Sequence, residues 1–112
     1  MPIRRLERDQ WKEFFDHVAG GRYATIELAS PQLGLQVQAS AVLMEGITYE
    51  PRSDVLAILC QGLEHVVHKP EEVYVDTVLG ELSSLAVRNE EGEVQIITLR
   101  RLRALPPPRP NA

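Results

Sequence analysis

Between Tyr23 and Leu99 apolar side chains recur at about every second position, and the segments that carry this pattern are joined by short turns instead of helices. A strand that alternates in this way has one face for a core and one for water, and two such strands joined by a few residues pair antiparallel. The pattern argues against a doubly wound parallel sheet, which needs long amphipathic crossover helices between its strands. Tyr23 to Ala29 is the first strand, and Ser30, Pro31, Gln32, Leu33 and Gly34 form its turn. Leu35 to Leu43 follows, with Leu35, Val37, Ala39, Ala41 and Leu43 on one face and Gln36, Gln38, Ser40 and Val42 on the other. Water or a partner is expected to cover the polar side. Gly46 breaks the run, Ile47 to Tyr49 resume it, and Glu50 to Asp54 turn around Pro51. Val55 to Cys60 is apolar on both alternating sets, which predicts a central strand buried on two sides. The stretch from Gln61 to Glu72 is less regular. Val73 to Val75 reads as a short strand, and Leu82 to Arg88 with Val94 to Leu99 reads as a hairpin turning at Asn89 to Gly92.

One helix precedes these strands. Trp11, Phe14, Phe15 and Val18 stand at i, i+3, i+4 and i+7 and share a helical face, with Leu6 extending the stripe. Asp9 or Glu7 suits the start and the pair Gly20 and Gly21 the stop, so a helix over about residues 8–19 is expected to cap the sheet's core. The fold class is therefore α+β: an N-terminal helix packed on a strongly bent, mainly antiparallel sheet of six or seven strands, with a partly closed barrel as its most curved form. Residues 1–100 are expected to be one domain, in keeping with a chain of 112 residues. Residues 101–112 differ in kind, because Pro106, Pro107, Pro108 and Pro110 between Arg103 and Arg109 favour an extended, solvated tail.

Charge and cysteine usage narrow the setting. Residues 1–8 and 100–112 hold seven arginines and one acid, whereas residues 9–99 hold five basic and fifteen acidic side chains. So acidic a body repels polyphosphates, and nucleic acid is an unfavoured partner unless the arginine-bearing ends bind it. The blander reading is that these arginines lie against the acidic body. The single cysteine, Cys60, admits no internal disulfide and suits a reducing compartment; no apolar run approaches a membrane span, and Arg4, Arg5 and Arg8 stand where a secretory signal would be apolar. A cytoplasmic location without membrane contact is expected.

Candidates for chemistry are few. His65 and His68 stand three apart with Glu64 beside them, and on a helical turn the set could hold a divalent metal; on a strand residues three apart point to opposite sides and the site fails. Cys60, inside an apolar strand, is expected to be an inert thiol, and Gly20 and Gly21 follow a helix, the wrong end for anion binding. No catalytic residues and no cofactor are expected.

The order of features resembles a family of short bacterial proteins known as a domain of unknown function. The likeness spans about residues 4–100. It rests on Leu6 with Trp11 and Phe15, on Gly34 to Val37, on Gly46-Ile47-Thr48-Tyr49-Glu50-Pro51 with Asp54, on His65 with Pro70, and on Gly92 before Ile96 and Ile97. The resemblance implies architecture and no activity. It also implies that histidine is typical at position 65 and not at 68, which turns attention from the metal set to Tyr49, Asp54 and His65 as the lining of a small pocket or as a structural network. The functional expectation is a noncatalytic binding or regulatory module for a protein or small-molecule partner, in homodimeric form among the options. The alternatives are a metal-dependent or small hydrolytic enzyme centred on His65, and a nucleic-acid or anionic-surface binder acting through the arginine-rich termini.

Overall fold

The computed structural model describes residues 3–101 of the chain, so the expected tail at 101–112 lies outside the described residues except for Arg101. In chain order come β1 (Ile3–Leu6), a 3-10 turn (Arg8–Gln10), α1 (Trp11–Asp16), β2 (Arg22–Ser30), β3 (Gly34–Glu50), β4 (Val55–Cys60), β5 (Leu63–His68), β6 (Pro70–Val78), β7 (Glu81–Asn89) and β8 (Val94–Arg100). All eight strands join one antiparallel sheet in the order β1-β6-β7-β8-β2-β3-β4-β5. The α+β class stands, with eight strands among the described residues in place of six or seven. A strand, not the helix, leads the described chain.

Four differences from the sequence reading have physical causes. Leu6 pairs opposite Val73, so the arginine-rich start is drawn into extended form by the partner strand β6 and not by any alternation of its own. The region read as irregular is mostly β5: His65 and Val67 turn to the core with Leu63 exposed at the end of the same side, Glu64, Val66 and His68 face out, and a polar residue on the inner face hides the period. Gly46 does not end β3 but sits at a register shift between Met44 and Gly46, where an extra residue is absorbed. The helix is also shorter than its apolar stripe, because His17 and Val18 donate to Phe14 and Phe15, three residues back, and the turn tightens after Asp16. Gly20 is then required by space: a Cβ there would lie 2.4 Å from the Glu45 carbonyl oxygen, as the chain crosses β3.

The ladder does not close, so the barrel expectation is corrected: β1 and β5 are its two edges. The sheet is nonetheless sharply curled. Across a flat sheet β5 and β8 would be about 19 Å apart, four strand spacings, yet His65 on β5 and Gln95 on β8 are hydrogen-bonded at 2.6 Å. The concave side holds the core, with Ile26, Met44, Leu56, Ile58, Val73, Leu85 and Ile97 buried. Cys60 belongs to that core, as expected. The open end is plugged by Trp11 and Phe15 from α1, and Trp11 meets Tyr49 edge-on with ring centroids 5.1 Å apart.

Candidate functional site

Two of the three residues singled out for a pocket meet. Tyr49 ends the buried part of β3, and Asp54, held at a left-handed φ of 56°, closes the β3–β4 turn. The Tyr49 hydroxyl donates to Asp54 Oδ1 at 2.6 Å. Arg8, which the sequence reading did not connect with them, completes the cluster: its Nη1 donates to Tyr49 Oη and to Asp54 Oδ1, each at 3.2 Å, and its Nη2 donates to the Pro70 carbonyl at 2.8 Å. The guanidinium also lies over the Trp11 ring, 4.4 Å from its centroid. Burial, and then the bond to Asp54, push the Tyr49 hydroxyl above its ordinary pKa, so it stays a neutral donor. A small cleft of about 570 Å³ lies beside this cluster, lined by Arg8, Asp9, Lys12, Tyr49, Pro51 and Asp54.

His65 does not join them. Its register opposite Ile58 turns the ring into the concave core, where Nε2 donates to the Gln95 amide oxygen. Gln95 is 6% exposed, and its oxygen would otherwise be a buried acceptor without a partner. The expected outcome for His65→Ala is a loss of about 1–3 kcal/mol in denaturant unfolding, partly restored by Gln95→Leu in the same chain; an unchanged midpoint would remove the structural role. The metal arrangement of Glu64, His65 and His68 needed a helical turn. On β5 His65 faces in while Glu64 and His68 face out, and among the described residues no group of three or more histidine, cysteine or acidic side chains is placed to hold a metal ion.

A larger groove of about 1050 Å³ opens between α1 and the turn that joins β6 to β7. Leu6 and Leu82 are buried at its base, and Phe14 and Val18, packed against the core, stand at its helical side. Charges of both signs frame it: Arg4, Arg22 and Arg101 with Glu7, Glu13 and Glu81. Some are engaged. Arg22 donates to the Leu82 carbonyl, and Arg101 grips Glu81 through both carboxylate oxygens, holding that carboxyl below its ordinary range. Arg4 lies over the Phe14 ring at 5.6 Å. The sequence marked Phe14 and Val18 as a stripe, but nothing in it tied that stripe to Arg22, Leu82 or Arg101. Among the described terminal arginines, Arg5, Arg8 and Arg101 each face a carboxylate of the body: Glu72, Asp54 and Glu81.

These features define a small α+β protein built on one curled antiparallel sheet, with a helix-sided groove at one end. The chain belongs to the Family of unknown function (DUF5335), whose profile matches residues 2–108. A relative from the bacterium Aquifex aeolicus (strain VF5), described as an uncharacterized protein, is 26% identical over 110 residues, covering 95% of this chain and 99% of its own. No solved structure matches the chain. No helix among the described residues is long and apolar enough to cross a membrane.

Proposed function

We propose that the chain is a noncatalytic binding module whose ligand lies in the groove between α1 and the β6–β7 turn. The observation that carries this reading is the groove itself: about 1050 Å³, an apolar base, an aromatic side chain and charges of both signs at the rim. Such a site suits an amphipathic ligand, with an apolar group for the Phe14 side and separated charges for the arginines and glutamates, of drug-like size or a few peptide residues. The reading is supported by the state of the groups that chemistry would need. Tyr49, Asp54 and Arg8 are spent on one another, and burial raises the Cys60 thiol, which keeps it protonated. A lone buried thiol also suits a reducing compartment, in line with a cytoplasmic location.

The test is an amide NMR titration of the protein with a library of small amphipathic molecules and short peptides. Binding is expected to perturb Phe14, Val18 and Leu82 together, and Phe14→Ala is expected to weaken it about tenfold, the loss of about 1.4 kcal/mol of contact. Perturbations that gather elsewhere, or a Phe14→Ala protein that binds equally well, would overturn the assignment.

A further inference from the structure

The hairpin of β2 and β3 departs from the rest of the molecule in three ways. Residues 28–44 carry no charged side chain, in a chain where a quarter of residues are charged. The end of the hairpin exposes Leu33, Leu35 and Val37 at 68%, 62% and 63%. And β3 is only half paired on its outer side: β2 covers it from Gly34 onward, but β4 begins pairing only at Met44. Gly34 to Gln38 thus presents a row of backbone donors and acceptors to which no described strand is bonded, whereas nearer the body register shifts against β2 interrupt β3 between Val37 and Val42 and the Leu43 carbonyl accepts from Gln61. Proteins usually protect such an edge with charge, proline or brevity. The other two edges follow that rule, since β1 is four residues long with Arg4 and Arg5, and β5 carries Glu64 and His68. The β3 edge has none of these protections.

We propose that this edge is an interface between two copies of the chain, pairing β3 with β3 antiparallel about a twofold axis near Gln36. Charge favours a second copy. Residues 9–99 carry ten more acidic than basic side chains, so two such bodies repel unless they meet where neither is charged, and the arm is that place. Pattern favours it too. Leu35 and Val37 lie on one face, opposite Ala29 and Glu27 of β2. An antiparallel self-pairing centred on Gln36 sets Leu35 against Val37 of the second copy and Gln36 against Gln36, so apolar meets apolar and amide meets amide. The surface lies at the far end of β2 from the groove, whose lining includes Arg22 at the start of that strand, and it stands whether or not the groove binds a ligand. So short an edge gives a small interface, and association in the micromolar range is expected.

Sedimentation of the full chain across a concentration series tests this, read together with hydrogen exchange of the amides at 35–38. A reversible dimer of the 12.6 kDa chain is expected, with those amides becoming protected as concentration rises. Val37→Lys and Leu35→Lys, both at exposed positions and so compatible with folding, are each expected to raise the dissociation constant about 30-fold or more, by placing a charge inside the pairing. A monomer up to about 1 mM overturns the proposal, as does a dimer that both variants leave intact. Protection at 35–38 that does not depend on concentration also overturns it, because the edge is then covered by its own chain.

Discussion

Trp11→Ala is expected to lower the unfolding free energy by about 3–5 kcal/mol, the cost of emptying a large aromatic site in a core that cannot collapse around it. The indole is 1% exposed and does three things at once. Its Nε1 donates to the Leu6 carbonyl at 3.1 Å, which fixes the end of β1 against the helix. Its ring meets that of Tyr49 in a T-shaped contact, and its face carries the Arg8 guanidinium. Losing it removes the plug at the open end of the curled sheet and frees α1, so the groove beside Phe14 loses its helical side as well. Urea unfolding followed by circular dichroism measures the change. A loss below about 1 kcal/mol would mean that the helix is ancillary to the core.

Arg8→Ala carries the next largest expected effect, about 2–3 kcal/mol. The side chain is half exposed, so its ion pair with Asp54 is screened and contributes little by charge alone. Geometry matters more: one fork serves a hydroxyl and a carboxylate from the β3–β4 turn and a main-chain carbonyl at the start of β6 while stacking on Trp11. Lysine keeps the charge and lacks the fork, so Arg8→Lys is expected to recover less than half of the loss. A double-mutant cycle of Arg8→Ala with Tyr49→Phe is expected to show coupling of about 1 kcal/mol. The Tyr49 contribution has a definite pH sense. Its folded pKa is raised, by burial and then by Asp54, so the stabilisation is complete below the ordinary tyrosine value and is lost as pH rises through the folded one. Additive single effects, with no coupling, would make Arg8 a surface residue that merely lies nearby.

How much of this could be read from the chain follows from the range of each interaction. The strands with a clean period of two were legible, because burial on one face is written residue by residue into Tyr23–Ala29, Leu82–Arg88 and Val94–Leu99. Tyr49 and Asp54 were legible as neighbours because a five-residue turn brings them together. Arg8 was not, since its partners lie 41, 46 and 62 residues on and nothing local marks an arginine as a clasp. β1 and β5 were missed for a related reason. One is held extended only by β6, and the other places His65 at a core position where the pattern calls for an aliphatic residue. The groove was illegible as a whole: Arg4, Arg22, Leu82 and Arg101 converge only after the sheet has curled.

The contest between a binding module and a metal-dependent enzyme centred on His65 is tested most directly by native mass spectrometry. The sample is untagged protein, isolated from its own cells without chelators, beside its Phe14→Ala and His65→Ala variants. The expected result is a noncovalent small-molecule or peptide adduct that Phe14→Ala loses and that folded His65→Ala retains. A stoichiometric metal ion present in the native protein and absent from His65→Ala would contradict it, and would move the functional centre from the groove to the histidine now read as a strut between β5 and β8.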